Sequence, residues 1–260
     1  MLKHPTGERL VALGLKGMAQ ALEEQRSQPD IADLDFEERL ALLVDREATA
    51  RENKRLVSRL KFAGLRQNAV VEDVNHKAPR GLDKALFQTL ASGDWIIRHQ
   101  NLLICGPTGI GKSWIACALG NQAARDGFSV QYQRLPRLLD ELAMARVDGK
   151  YARLLARIAK IRLLILDDWA TAKLTVEQRR DLMEVIEDRY QRASTILATQ
   201  VPIDRWHDMI GDPTYADAIM DRLVHNAYRI ELRGESLRRQ IGKKSIEDQT
   251  TTKSVKQIKN

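Results

Sequence analysis

The chain has 260 residues, of which 43% are hydrophobic, and it carries a formal net charge of +7 at pH 7. This length fits one large domain or two small ones, and the hydrophobic fraction suffices for a packed core, which excludes a disordered chain. No apolar run approaches the ~20 residues of a membrane span, and the first residues lack the apolar core of a signal peptide. We therefore expect a cytoplasmic globular protein that has no membrane partner.

Charge is distributed unevenly along the chain. Residues 134–162 contain eight basic and three acidic residues, and residues 222–260 contain ten and four. Between these blocks, residues 163–221 contain six basic and twelve acidic residues. Two basic blocks that flank an acidic one favour a polyanionic partner, and nucleic acid is the first candidate.

Residues 1–70 predict a small all-helical domain, and residues 71–100 predict a connector. One helix is predicted from Thr6 to Ser27, and a longer one is predicted from about Asp35. The second helix carries basic residues that are candidate DNA contacts: Arg51, Lys54, Arg55, Arg59 and Lys61. The three arginines recur every fourth residue and therefore share one face. That face fits either plain solvent exposure or contact with DNA phosphates, and the sequence leaves both open.

Residues 101–240 alternate short apolar runs with helical stretches, a pattern that predicts an α/β domain. Five strands separated by helices indicate a parallel sheet that is sandwiched by helices. The predicted strands are Asn101–Cys105, Ser129–Gln133, Arg162–Leu166, Ser194–Ala198 and Ala227–Leu232. Residues 241–260 are polar and predict a disordered tail.

The most specific motif follows the first predicted strand and matches G-x-x-x-x-G-K-[ST], the phosphate-binding loop of nucleotide-binding proteins. It consists of Gly106, Pro107, Thr108, Gly109, Ile110, Gly111, Lys112 and Ser113. Its backbone N–H groups and the start of the next helix attract phosphate oxygens. We expect Lys112 to reach the β- and γ-phosphates and the Ser113 hydroxyl to bind Mg²⁺. The alternative is a glycine turn with a surface lysine.

Polar side chains also end two further predicted strands. Asp167 and Asp168 follow the third strand, and Thr199 and Gln200 follow the fourth. Ligands of open α/β folds bind at this edge of the sheet, so we expect Asp167 to hold Mg²⁺ and Asp168 to orient or deprotonate the attacking water. Thr199 and Gln200 are expected to hydrogen-bond water or the γ-phosphate. Helix capping for the two acids, and ordinary loop positions for the other pair, are the alternatives.

Motifs along nearly the whole chain resemble the AAA+ ATPases, and within them the IstB-like ATP-binding proteins of bacterial insertion sequences, relatives of the DnaC helicase loaders. Besides the phosphate loop, these motifs are Ala50–Leu56, Leu60–Leu65, Gly93–Ile96, Leu164–Asp168, Ala198–His207, Ile219–Leu223 and Gly234–Arg238. The phosphate loop is specific for nucleotide binding only, whereas Ala198–His207 and Gly234–Arg238 are typical of the IstB-like group.

The resemblance implies an AAA+ P-loop ATPase with a short or absent helical lid, and with ATP and Mg²⁺ as cofactors. Thr199 and Gln200 match the sensor-1 position of the family. Arg222 matches the arginine finger, which reaches the γ-phosphate of a neighbouring subunit and therefore implies a homo-oligomer. Arg238 lies near the position where a sensor-2 arginine is expected. Asp168 stands where many AAA+ proteins have Glu, which implies a slow, switch-like ATPase.

Residues 134–160 are similar to a helical insertion of the initiator and loader group, whose helices line a DNA channel. The basic residues expected to contact DNA there are Arg134, Arg137, Arg146, Lys150, Arg153 and Arg157. Contacts to phosphates predict binding with little sequence preference and strong salt sensitivity. A solvated helix pair is the alternative.

The function that the resemblance implies is an ATP-dependent helper of transposition. Such a protein assembles as a multimer on double-stranded DNA and recruits a cognate transposase, and hydrolysis resets the complex. A replicative helicase loader is the main alternative. A nucleotide-gated DNA scaffold without turnover and a small-molecule kinase are further hypotheses, and the basic helices and Arg222 argue against the kinase.

Overall fold

The computed structural model describes residues 5–237. Two expectations, the sensor-2 role of Arg238 and the disordered tail over residues 241–260, lie outside the described residues. The chain divides into two compact units, Met1–Lys61 and Phe62–Asn260. Within the described part, no helix combines the length and the apolar character needed to cross a membrane.

Helices form the amino-terminal unit: α1 (Pro5–Ala12), α2 (Lys16–Ser27) and α3 (Phe36–Ala63), with a 3₁₀ turn at Pro29–Asp33. The prediction of one helix from Thr6 to Ser27 is wrong, because the helix is interrupted between α1 and α2. Gly14 has a left-handed φ of 77°, and the Leu15 N–H donates to the Leu10 carbonyl over 2.8 Å. A glycine in this conformation ends a helix by satisfying its last carbonyl groups.

The start of α3 agrees with the helix predicted from about Asp35. The Glu38 N–H donates to the Asp35 carboxylate over 2.8 Å, and the Asp35 N–H donates to the Glu38 carboxylate over 3.0 Å. These reciprocal bonds form a capping box, which fixes the first turn of the helix. Farther along α3, the Glu47 carboxylate accepts from the Gly17 N–H over 2.7 Å and so caps the start of α2.

A five-stranded parallel sheet organises the second unit, as the sequence predicted, and its strand order is β2-β3-β4-β1-β5. The strands are β1 (Asn101–Cys105), β2 (Val130–Arg134), β3 (Leu163–Trp169), β4 (Ser194–Thr199) and β5 (Ala227–Glu231). Each predicted strand coincides with an observed one, apart from a few residues at the ends. The nearly continuous apolar runs of β1, β3 and β4 reflect burial beneath flanking helices.

The helices of the second unit are α4 (Lys84–Ala91), α5 (Asp94–Ile97), α6 (Lys112–Arg125), α7 (Leu135–Val147), α8 (Tyr151–Ala159), α9 (Val176–Arg189), α10 (Trp206–Ile210) and α11 (Pro213–Val224), with 3₁₀ turns at Val71–Asp73 and Ile203–Arg205. Buried aliphatic residues of α7, α9 and α11 pack with Trp169 and Trp206, whose rings lie 5.1 Å apart. This core sits directly beside the ends of β3 and β4.

An irregularity in β3 lies at the point where the sheet meets the predicted site. Leu166 pairs with Leu197 of β4, but Trp169 pairs with Thr199, so β3 contains one residue more than β4 over this stretch. The extra residue makes a β-bulge, a feature that bends a strand and redirects its side chains. The carboxyl ends of β3, β4 and β1 are neighbours in the sheet, so the two acids, Thr199 and the phosphate loop meet at one edge.

Candidate nucleotide-binding site

The predicted phosphate loop connects β1 to α6 and is fixed by its neighbours. The Gly106 N–H donates to the Thr199 carbonyl over 3.2 Å, and the Leu237 N–H donates to the Gly109 carbonyl over 3.0 Å. A Cβ at position 106 would lie 2.6 Å from the Leu232 carbonyl oxygen, so only glycine allows this close approach. The end of β4 and the segment after β5 thus hold the loop in its conformation.

Two side chains make further contacts within and beside the loop. The Lys112 ammonium donates to the carbonyl oxygens of Gly106 and Pro107 over 2.8 and 2.9 Å. The Thr108 hydroxyl donates to the side-chain oxygen of Gln200 over 2.5 Å. The structure therefore places the Lys112 side chain against the loop. It also brings Gln200, which follows β4, into contact with the loop.

The two acids at the end of β3 have different environments. Asp167 is 1% exposed, and its carboxylate accepts from the Tyr132 hydroxyl over 2.6 Å and from the Asp168 N–H over 3.0 Å. Asp168 is more exposed, has a left-handed φ of 57°, and forms an ion pair with Arg134 over 2.5 Å. Burial, together with the hydrogen bond to Asp167, raises the pKa of the Tyr132 hydroxyl, which therefore remains a proton donor.

Thr199 is placed differently from the expectation that it contacts water or the γ-phosphate. Its side chain is fully buried, and the hydroxyl donates to the Trp169 carbonyl over 2.9 Å and accepts from the Val201 N–H over 3.0 Å. Both partners are backbone groups, so the hydroxyl ties the end of β4 to β3. Of the two residues that follow the sensor-1 pattern, Gln200 is the one whose side chain lies beside the phosphate loop.

Arg222 lies at the opposite edge of the sheet from the phosphate loop. Its carbonyl accepts from the side chain of Asn101, the first residue of the five-residue strand β1, over 3.2 Å. Such a strand is roughly 15 Å long, which separates Arg222 from the loop of its own chain. The guanidinium forms an ion pair with Glu187 over 2.5 Å. The structure therefore does not bring Arg222 together with the other predicted site residues of the same chain.

The oxygen ligands and the phosphate loop at the carboxyl-terminal edge of the sheet fit ATP with Mg²⁺. Ser113 and Asp167 offer oxygen ligands, and Mg²⁺ at phosphate sites uses only one or two carboxylates because phosphates and water supply the rest. Residues 5–237 contain no cluster of three or more His, Cys, Asp or Glu side chains that could hold a metal alone. The glycine loop packed against Leu232 and the amino end of α6 form a cradle of the kind that takes phosphate oxygens.

The basic residues expected to contact DNA fall into two groups. Those paired with acids are Arg51 with Glu47, Arg55 and Arg59 with Glu52, Arg134 with Asp168, Arg137 with Glu141, Arg146 with Asp181, and Lys150 with Asp148. Those without an acidic partner among residues 5–237 are Lys54, Lys61, Arg153 and Arg157. The second group is the better candidate for contact with phosphates, because no acid among residues 5–237 neutralises its charge.

Arg146 is the clearest departure from the expected DNA contacts. Its Nε donates to Asp181 over 3.0 Å, and its guanidinium lies 3.7 Å from the centre of the Tyr151 ring. The Asp181 side chain is only 3% exposed, and a buried carboxylate requires a compensating charge. We therefore reassign Arg146 from a DNA contact to a structural partner of Asp181.

Sequence reasoning missed three residues beside the site. Interaction with Tyr132 raises the pKa of the Arg66 guanidinium, and the Tyr132 hydroxyl in turn donates to Asp167. Arg80 is 3% exposed and donates to the Ile110 carbonyl of the loop over 3.5 Å, and burial lowers its pKa. For Tyr132, the available signal was the run of polar residues in β2, next to the strand that carries the acids. Arg66 and Arg80 belong to no pattern that marks their role.

Comparison with known protein families gives a match over most of the chain. A family model described as "IstB-like ATP binding protein" matches residues 8–245. A "putative insertion sequence ATP-binding protein y4pL" of Sinorhizobium fredii is 55% identical over 245 residues, which cover 94% of this chain and all of the relative. The "insertion sequence IS21 putative ATP-binding protein" of Pseudomonas aeruginosa is 30% identical over 229 residues, which cover 88% of this chain and 86% of the relative.

Solved structures with a similar fold come from the AAA+ P-loop proteins. DnaI matches with a TM-score of 0.55 and 20% identity, covering 64% of this chain and 92% of that chain. The replication initiator DnaA, in a structure with AMPPCP and single-stranded DNA, matches with a TM-score of 0.53 and 17% identity, covering 71% of this chain and 56% of that chain. At these identities the likeness shows the AAA+ fold alone.

Proposed function

Because this chain belongs to the family of IstB-like ATP-binding proteins, we propose that it is a Mg²⁺-dependent ATPase that helps transposition. It assembles as a multimer on double-stranded DNA and recruits a partner transposase, and hydrolysis of ATP resets the complex. The observation that carries the proposal is the convergence of the phosphate loop, Gln200, Asp167 and Asp168 at one edge of the sheet. The insertion-sequence names of the relatives support transposition as the setting.

Each residue at this edge has a distinct part in the proposed reaction. When bound, Mg²⁺ neutralises phosphate charge, and Ser113 and Asp167 are the residues that hold it. Lys112 exchanges its carbonyl partners for phosphate oxygens and stabilises the charge that develops as a water oxygen attacks the γ-phosphorus and ADP leaves. Asp168 orients that water, and it must first separate from Arg134.

The proposed active site is completed by a second copy of the chain. Arg222 lies at the far edge of the sheet, where it cannot reach its own phosphate loop. Its side chain is 24% exposed and pairs with Glu187, which it must release to contact a phosphate of a neighbouring copy. An arginine donated by a neighbour stabilises the transition state of phosphoryl transfer by ~10³–10⁵-fold. We expect Arg222→Ala to retain ATP binding and to lose turnover. Undiminished hydrolysis by this variant would reject the finger assignment.

The multimer on DNA is tested by size-resolved light scattering with a ~50-base-pair duplex of arbitrary sequence. Large complexes should form with ATP but not with ADP or without nucleotide, and higher salt should weaken them. Lys112→Ala is the matched control, and it should abolish the ATP-dependent assembly. Equal complexes in all nucleotide states would contradict the proposal, and co-purification of a replicative helicase would favour the helicase-loader alternative.

A further inference from the structure

Tyr132 of β2 contacts the buried acid of the candidate site. The Tyr132 hydroxyl donates to one carboxylate oxygen of Asp167, and the Asp168 N–H donates to the other. Each oxygen therefore has one fixed partner and keeps further acceptor capacity. Two donors from different strand positions determine the plane of this carboxylate, which is almost fully buried.

We propose that Tyr132 is a positioning residue that orients the Asp167 carboxylate toward Mg²⁺ and so determines how strongly nucleotide binding depends on this ion. The inference rests on the proposed function, because it requires a site that takes Mg²⁺ with nucleotide. A group that hydrogen-bonds a metal ligand fixes the orientation of that ligand, and its removal costs ~10–100-fold in metal affinity.

The test is a binding titration rather than an activity assay. A fluorescent non-hydrolysable ATP analogue is bound to the full chain at increasing Mg²⁺, and again in the presence of a chelator. Tyr132→Phe should raise the Mg²⁺ concentration for half-maximal binding by ~10-fold or more and leave the affinity in chelator unchanged.

One control variant matches this change in chemistry. Tyr228→Phe alters a tyrosine of β5 that is level with Leu102, away from the acids. It should not move the Mg²⁺ midpoint.

The possible failures are distinguishable. Wild-type protein that binds the analogue equally with Mg²⁺ and with chelator would overturn the proposed function and this inference with it. Wild-type protein that depends on Mg²⁺, together with a Tyr132→Phe variant that titrates identically, would overturn this inference alone.

Discussion

Two adjacent helices, α7 and α8, carry the same kind of charge and use it differently. Arg134, just before α7, and Arg137 and Arg146 within it, each pair with an acid. On α8, Arg153 and Arg157 are exposed on one face, and residues 5–237 offer them no acidic partner. Composition alone described residues 134–160 as one basic insertion. In the structure, the arginines of α7 form ion pairs within the fold, whereas those of α8 are exposed to solvent.

The anchoring of α8 explains how it keeps its basic face outward. Arg189 is buried, and its guanidinium donates to the carbonyls of Ile158 and Ile161, at and just beyond the end of α8, over 2.8 and 2.7 Å. Leu154 and Leu155 pack against the core on the other side of the helix. The exposed arginines therefore lie on a helix that is fixed at one end. This anchoring limits the conformational entropy lost when the arginines bind phosphates.

The largest expected effect is on DNA binding by α8. Arg153→Glu with Arg157→Glu should weaken duplex binding by ~100-fold at low salt and reduce the slope of log affinity against log salt by roughly 1.8, because two phosphate contacts are lost. Fluorescence anisotropy over a salt series measures both quantities. Lys173→Glu with Arg180→Glu is a control of equal charge change outside the basic helices. Equal weakening by the control would attribute the effect to net charge.

A smaller effect of a different kind is expected at Arg146. Arg146→Ala leaves Asp181 buried with only the Tyr151 hydroxyl as a side-chain donor, so the free energy of unfolding should fall by about 1–3 kcal/mol. Urea denaturation measures this loss, and the salt slope of DNA binding should stay at the wild-type value. A variant with wild-type stability and a reduced slope would restore Arg146 to the DNA-binding group.

The smallest expected effect concerns Arg134. Arg134→Ala removes the ion pair that holds Asp168, so ATP turnover in the absence of DNA should rise several-fold, within the ~10²-fold range of general-base effects. Phosphate release, compared with the control Arg137→Ala, measures it. A fall in turnover would mean that Arg134 assists the reaction instead of restraining Asp168.

The parts of the site that sequence could predict are those fixed by the backbone. A glycine loop between a strand and a helix has one main geometry, so the motif was sufficient to place Gly106–Ser113 between β1 and α6. Apolar runs likewise identified the five strands and the edge at which Asp167 and Gln200 meet the loop. The left-handed Gly14 was missed because an apolar helical pattern continues across it.

Side-chain partnerships were beyond sequence, because they join residues far apart in the chain. Asp181 neutralises Arg146 across 35 positions, and the same separation joins Tyr132 to Asp167. No local sequence pattern distinguishes an arginine that pairs with an acid from an exposed one that lacks an acidic partner. The Thr199 hydroxyl bonds to backbone groups because the end of β3 lies beside it. The course of that strand depends on a bulge that sequence periodicity does not reveal.

The left-handed backbone at Asp168 bears on why a short acid stands there. Asp enters this conformation more readily than most residues, because its side chain can hydrogen-bond nearby backbone, whereas other L-residues lose about 1–2 kcal/mol. A longer glutamate would gain reach toward a water molecule and would destabilise the turn. Aspartate and glutamate at position 168 therefore differ in the backbone conformation that they tolerate as well as in length.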